Sequence, residues 1–220
     1  MVTDQKCTIF PHVPKCGGTS LKSQFEQSGL DVFFDYEYPP EGGKYFRGEC
    51  ERRNRESSLL DFGVFDLVFG HFPVTRYFRD NYRYVTLLRN PLDRAVSHFF
   101  YWKNVLPETN LVAINRAPII RGIKDGTVSF TEFLMNQKID KYLSAYLGEM
   151  GPEKFQLVGF TDQYDSFLHK LSGLIGVRLD PQVHLRPGVR EPLESGELSK
   201  AQSLLGEEFR IYESFRNYWG

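Results

Sequence analysis

At 220 residues, with 41% hydrophobic and 25% charged side chains, the chain has the composition of a globular protein with room for one well-buried domain over residues 1–220. A formal net charge of −1 excludes bulk attraction to nucleic acid or to an anionic membrane, so any anion site has to be local. Cys7, Cys16 and Cys50 are odd in number and widely spaced, which fits neither a disulfide framework nor a zinc site and points to a reducing compartment.

The opening segment, MVTDQKCTIF, has no basic stretch leading into a long apolar run, and nothing later approaches the ~20 apolar residues of a membrane span. The expectation is a cytoplasmic protein with no signal peptide or anchor. CTIFPHV (7–13) is a short apolar run stopped by Pro14 and reads as a buried strand. From Thr19 to about Ser28 the pattern turns helical, with Leu21 and Phe25 one turn apart and Gly29 as the stop. DVFFDYEY (31–38) predicts a second strand, closed by Pro39 and Pro40. Residues 41–58 are glycine-rich and charged without an apolar period, an exposed loop or frayed helix. Glu49, Glu51 and Glu56 offset Arg52, Arg53 and Arg55 there, so the basic run is a solvated face.

DLVFGHF (66–72) and YRYVTLLRNP (82–91) are continuous apolar runs, as expected of strands buried on both faces of a parallel sheet. Pro91 suits the first turn of a helix that continues through LDRAVSHFFYWKN. Residues 105–125 are weakly patterned, a loop with a short helix, and Ser129 with Glu132 makes a capping box for the next helix. KFQLVGFTD (154–162) predicts another buried strand, followed by a helix through QYDSFLHKLSGLIG. After 181–196 comes a final helix with the apolar stripe Leu198, Ala201, Leu204, Leu205, Tyr212 and Phe215. Strands alternating with helices predict an α/β fold, a single P-loop-like domain whose central parallel sheet carries helices on both faces. Ligands of such sheets sit at the carboxyl ends of strands, which selects the first loop, His71, Arg89 and Thr161.

The first loop holds Lys15, Cys16, Gly17, Gly18, Thr19 and Ser20. Its glycines let the backbone approach an anion, successive N–H groups form a nest, and the following helix offers its positive end. Thr19 and Ser20 add hydroxyl donors, and Lys15 a mobile charge. The order differs from the nucleoside-triphosphate loop G-x-x-x-x-G-K-[ST], where lysine follows the glycines; here it precedes them. Cys16 stands at a helix N-terminus, where thiol pKa values tend to fall, but no base or acyl electrophile is implied, and its part is the backbone N–H. In LLRNPLDRAVSHFF, the Arg89 fork with the Ser97 hydroxyl two turns on suits a second phosphate. Arg94 is the competing arginine, or else a solvated helix residue.

PKCGGTS followed by LLRNPLDRAVSHFF resembles the two cofactor-binding elements of sulfotransferases that use 3′-phosphoadenosine 5′-phosphosulfate (PAPS), most closely their carbohydrate branch, the glycan O-sulfotransferases. The resemblance implies PAPS as donor, PAP as product and a hydroxyl-bearing acceptor, expected to be a glycan or glycoconjugate, with a lipid, polyketide or small alcohol left open. It assigns the 5′-phosphosulfate to Lys15 through Ser20 and the 3′-phosphate to Arg89 and Ser97. It extends over residues 7–217: LVGFTDQYDSFLHKL looks like the family's late strand and helix, and in VHLRPGVREPL Arg186 occupies the Asn position of a His-x-Asn segment near the cofactor.

The chemistry accounts for the lysine order. A kinase needs Mg²⁺ held by Ser/Thr and a strand-end acidic residue, whereas here the equivalent strand ends in Arg89. A sulfuryl group carries less charge than a γ-phosphate, so direct donors suffice, with Lys15 meeting the bridging oxygen where charge develops. His71 ends a strand at the same edge and suits proton abstraction near neutral pH. The resemblance supports it, since uronyl 2-O-sulfotransferases have a histidine base in a comparable Gly-His context, though some carry a second histidine where this chain has Phe69, and other branches use a glutamate. Asp35 and Glu37 are the alternative bases. His12 is either a ligand of a cofactor phosphate or a supporting core residue, and His98, His169 and His184 are structural. Phe33, Phe34, Tyr36, Tyr38, Phe99 and Tyr101 are either core or a stacking surface for sugar rings. The rival readings are a P-loop phosphotransferase and a non-catalytic nucleotide- or glycan-binding module.

Overall fold

Five short strands pair side by side in the computed structural model, which describes residues 7–36, 62–77, 81–106, 117–137, 141–148, 150–183 and 191–220. They are β1 (Thr8–Pro11), β2 (Val32–Asp35), β3 (Leu67–Gly70), β4 (Arg83–Leu88) and β5 (Leu157–Phe160), in the order β2-β3-β1-β4-β5. Every pairing is parallel, so all five carboxyl ends lie along one edge with β1 in the middle. The expected α/β architecture with a central parallel sheet is therefore present.

Alternate strand residues feed two cores, as the two-residue period demands. Ile9, Phe33, Val68, Tyr84 and Val158 face one side, where they meet Leu143 and Leu147 of α5 (Tyr142–Leu147) and Phe215 of α8 (Gly206–Trp219). Phe10, Phe34, Phe69, Leu87 and Leu157 face the other, against Leu21 and Phe25 of α1 (Gly18–Gln27) and Phe167, Leu168 and Leu171 of α6 (Tyr164–Ile175). Helices thus cover both faces. A third, helical core joins α2 (Pro91–Asn104), α3 (Ala117–Lys124), α4 (Phe130–Gln137) and α7 (Ser195–Leu204) through Phe99, Trp102, Ile123, Phe133 and Ala201. His98 lies in this region, its ring edge-on to Trp102, Phe133 and Tyr142.

Local chemistry sets the helix starts. Pro91 opens α2, and Asn90 Oδ1 accepts the N–H groups of Leu92 (3.0 Å) and Asp93 (3.3 Å). Ser129 and Glu132 form the expected capping box, with Ser129 Oγ accepting from the Glu132 N–H and Glu132 Oε2 accepting from the Ser129 N–H.

Three expectations need correction. The strands are shorter than the apolar runs, because the loops beyond them are buried as well: Val13 after β1 and Phe72 after β3 belong to the core without belonging to the ladder. The final helix is two, α7 and α8, broken at Leu205, which is buried, while Leu204 is 38% exposed and leaves the stripe. Arg94 is neither solvated nor at an anion site. Its Nη2 donates to Glu208 Oε2 at 2.7 Å with both side chains at 0% exposure, and Glu208 Oε1 accepts the Leu143 N–H, so the pair pins α2, α5 and α8 together. Burial pushes Glu208 up and the Arg94 charge opposes it. The expected loop at 41–58, Glu37, Tyr38, Arg186 and His184 lie outside the described residues.

Candidate active site

β1 and β3 run in register through Phe10↔Phe69 and Pro11↔Gly70, so each delivers a histidine to the carboxyl edge one residue later. The His12 N–H donates to the Gly70 carbonyl and the His71 N–H to the Asp35 carbonyl, each at 2.8 Å. Gly70 is required between them, since a Cβ there would lie 2.0 Å from the Asp35 carbonyl oxygen. The imidazoles stack at 5.0 Å and 26°, with His71 Nε2 3.1 Å from His12 Nδ1. His12 is 5% exposed, stacked on Phe69 on one side, and its ring occupies the space a Cβ on Gly18 would need, at 1.9 Å from Cε1 and 2.2 Å from Nε2. The second glycine of the loop therefore makes room for His12. Burial, reinforced by the charges of His71 and Lys15, holds His12 well below the ordinary 6.5, so it is neutral near pH 7.

The loop between His12 and α1 takes left-handed backbone at Lys15 (φ 73°) and Gly17 (φ 78°). The N-cap of α1 is Gly17, which has no side chain to cap it, the first turn carries no acidic residue, and Gly17 and Thr19 are exposed among the described residues. The first-turn N–H groups of such a helix suit an anion. Cys16 is wholly buried, and burial pushes its thiol up to about 12 despite the opposing Arg94 and Arg89 charges, so it is inert at neutral pH.

The second element meets the loop at two points. Arg89, one residue past β4 and half-buried, directs Nη1 to the Lys15 carbonyl at 3.4 Å. Lys15 Nζ lies 3.9 Å above the ring centre of Tyr101 on α2. Ser97 is half-buried on the same helix, one turn before Tyr101 and so on the same face. Lys15, 74 residues before Arg89, thus shares one neighbourhood with Arg89 and Ser97.

Around His71 stand two tyrosines. Tyr36, next after β2, packs edge-on at 4.6 Å, and Tyr146 of α5 approaches edge-on at 6.3 Å. Burial pushes the Tyr36 phenol strongly up, so it stays protonated. Asp35 is not at the open edge: it is wholly buried, accepts the Tyr77 hydroxyl at 2.8 Å and pairs with Arg76 Nε at 3.1 Å. Phe33, Phe34 and Phe99 are core, while Tyr36 and Tyr101 stay half-exposed. Thr161 is half-buried at the β5 end, where the next residue, Asp162, is gripped by both Arg216 Nη atoms at 3.0 and 2.9 Å.

Two parts of this arrangement escaped sequence reasoning, the His12–His71 pair and the Lys15–Tyr101 contact. The first had a signal: FPH (10–12) and FGH (69–71) repeat one pattern at the ends of two strands, which adjacent pairing turns into a histidine pair. A groove of about 410 Å³ beside α6, lined by His169, Ser172, Arg178 and Pro181, extends to the helix end that receives Arg83 Nη1 from the amino end of β4, the far side from this edge. Among the described residues no group of three or more His, Cys, Asp and Glu converges as a metal site, and no helix is long and apolar enough to cross a membrane.

No protein-family model and no curated protein matches the chain. Among solved structures it is similar to mouse sulfotransferase SULT7A1 complexed with PAP, at 15% identity and a TM-score of 0.44, over 91% of this chain and 64% of that one. It is also similar to a sulfotransferase from Alicyclobacillus acidocaldarius, at 15% identity and a TM-score of 0.48, over 95% of each chain. The chain spans about 64% of the length of the mouse protein.

Proposed function

We propose that this chain is a PAPS-dependent O-sulfotransferase that moves a sulfuryl group to an acceptor hydroxyl in one in-line, metal-independent displacement, releasing PAP. The observation that carries the reading is the convergence at one sheet edge of a lysine-first loop, the Arg89–Ser97 element and a strand-end histidine. In this reading the N–H groups from Gly17 to Ser20 hold the 5′-phosphosulfate, with Gly17 and Gly18 admitting it and the Thr19 and Ser20 hydroxyls adding donors; the Cys16 N–H, expected to join them, donates to the Val13 carbonyl at 3.3 Å and shapes the loop instead. Arg89 and Ser97 take the 3′-phosphate, which ATP and ADP lack, and Arg186 adds a cofactor contact by resemblance.

The step balances as follows. His71 takes the acceptor proton, and the oxygen lone pair forms the new S–O bond. The old S–O bridge to the phosphate breaks, and its electron pair stays on the phosphate oxygen beside Lys15. A cation–π contact such as the one Lys15 makes with Tyr101 is worth about 0.5–1 kcal/mol at an exposed site. A hydrogen bond to a charged group contributes about 1.5–3 kcal/mol, enough for the bridging oxygen to recruit the lysine. Support for a saccharide acceptor comes from the resemblance to the carbohydrate branch and from Tyr36 and Tyr146, aromatic rings of the kind sugars stack on, beside the base.

Calorimetry with PAP and with ADP, in EDTA, tests the site. The arginine contact corresponds to PAP binding about 10- to 100-fold more tightly than ADP. Equal affinities, or magnesium-dependent turnover of ATP, would replace this reading with the phosphotransferase one. PAP binding without transfer to any hydroxyl would replace it with the binding module.

A further inference from the structure

α5 is six residues long and has no local cap: Lys141, its N-cap residue, makes no side-chain hydrogen bond there, and no acidic residue stands in its first turn. A helix this short is not stable by propensity, and its first-turn N–H groups need an acceptor from elsewhere. Glu208 supplies one from α8, 65 residues away, its Oε1 accepting the Leu143 N–H at 2.6 Å. The Ser144 N–H also acts on that carboxylate, favouring its ionised form. Oε2 meanwhile takes Arg94 Nη2 at 2.7 Å, with both side chains at 0% exposure. Glu208 is thus a long-range N-cap, charged in the core because Arg94 is there.

Leu143 and Leu147, both wholly buried, press α5 onto the sheet, but apolar contact is non-directional and sets the rotation of a helix loosely. A hydrogen bond at the first turn sets it tightly, and with it the two tyrosines that α5 carries one turn apart. The Tyr142 ring centre lies 4.9 Å from the Arg94 guanidinium, at the brace. Tyr146, 6.2 Å from Tyr142, reaches the open edge, where it approaches His71 edge-on at 6.3 Å and bears on the Tyr36 phenol. A continuous series of contacts therefore runs from the buried ion pair to the candidate base.

We propose that Glu208 is a positioning residue for the acceptor: by capping α5 it holds Tyr146 beside His71, and Tyr146 with Tyr36 forms the wall that aims a saccharide hydroxyl at the base. This rests on the reading of His71 as the base and of the two tyrosines as a stacking surface. Loss of the cap orphans the buried Leu143 N–H, and the first turn unwinds toward water, carrying Tyr146 away.

The test compares two double variants, Arg94→Met with Glu208→Gln and Arg94→Met with Glu208→Leu. Both remove the ion pair without stranding a charge, and replacing such a pair is commonly tolerated. Cys16 of the loop also feels Arg94 and Glu208, and both variants change that influence alike. Only the first keeps an oxygen for the Leu143 N–H. In ¹⁹F NMR of protein labelled with 3-fluorotyrosine, the Tyr146 resonance (assigned with Tyr146→Phe) should keep its wild-type shift in the Gln variant. In the Leu variant it should move toward the position in the unfolded chain. With ³⁵S-labelled PAPS and a mixture of methyl glycosides, the ratio of labelled sugar to released sulfate should stay close to wild type in the Gln variant. It should fall about 10- to 100-fold in the Leu variant, since a misplacement of about 1 Å costs that much, while PAP affinity is equal in the two.

An unmoved Tyr146 resonance, equal ratios in the two variants, or PAP affinity lost in the Leu variant alone overturns the inference and leaves Glu208 a brace. Tyr146→Ala, which keeps the ion pair, supplies an independent check: its ratio should fall as far, and adding it to the Leu variant should cost nothing more. A wild-type ratio in Tyr146→Ala, or additive losses, overturns the inference as well. Sulfate release with no labelled sugar removes the saccharide acceptor and this inference, with PAPS still the donor. Conversion of PAPS to neither product overturns the function reading itself, and this inference with it.

Discussion

Arg89 stands half-exposed one residue beyond β4 with its guanidinium at the loop carbonyl of Lys15, whereas Arg94, five residues later, is sealed in the core against Glu208. The two share a residue type, a segment and the same candidacy for a phosphate. What separates them is burial: α8 returns across α2 and seals Glu208 onto Arg94 at 0% exposure, while Arg89 keeps part of its side chain at the surface. A buried ion pair is held at the cost of desolvating both groups, which suits a brace, and a half-exposed arginine beside a bare helix N-terminus suits a ligand. The molecule thus has a candidate site at one sheet edge and a buried brace beside it.

Substitutions on the two sides should fail differently. The largest effect belongs to the edge: His71→Ala should cut turnover about 10²- to 10⁴-fold while PAP affinity stays near wild type. A parallel loss of affinity would return His71 to a structural role. Next is the brace, where Arg94→Met strands the buried Glu208 carboxylate. Urea denaturation should find about 3–5 kcal/mol less stability, with the folded fraction still binding PAP. Arg89→Met should do the reverse, weakening PAP about 10- to 100-fold and leaving ADP affinity and the unfolding midpoint unchanged.

A smaller effect is read from pH. His12 is held below its ordinary value in the folded chain, so the unfolded chain takes up that proton first as pH falls. The stability associated with neutral His12 is complete above about pH 6.5 and is lost as pH falls below it. Wild type should therefore lose more stability than His12→Phe between pH 7 and pH 5. Smallest is Ser129→Ala in the α4 cap, which touches neither Arg94 nor the loop in any described hydrogen bond, expected to cost about 1 kcal/mol with kinetics untouched.

The layers of the fold were legible in the sequence because continuous apolar runs and capping residues are local signals. Pro91, Asn90 and the Ser129–Glu132 pair act within a few residues of themselves. The candidate residues were legible for a related reason: strand ends in a parallel sheet share one edge, so His71, Arg89 and the loop were bound to be near one another. What escaped depended on contacts between distant segments. Glu208 lies 114 residues from Arg94 and His71 lies 59 from His12, and neither pairing carries a periodicity. Asp35 was ambiguous for the same reason, since Arg76 and Tyr77 arrive on a short turn after β3 to claim its carboxylate. The strand order itself, with β3 inserted between β2 and β1, is what makes the two histidines neighbours.

The most direct measurement is transfer of label from [³⁵S]PAPS to a panel of glycans, lipids and phenols, in EDTA, by wild type and His71→Ala side by side. The account predicts labelled product from wild type on at least one hydroxyl acceptor, saccharides foremost, and at least a hundredfold less from the variant. Transfer that proceeds equally well without His71, or magnesium-dependent phosphoryl transfer from ATP with none from PAPS, would contradict it.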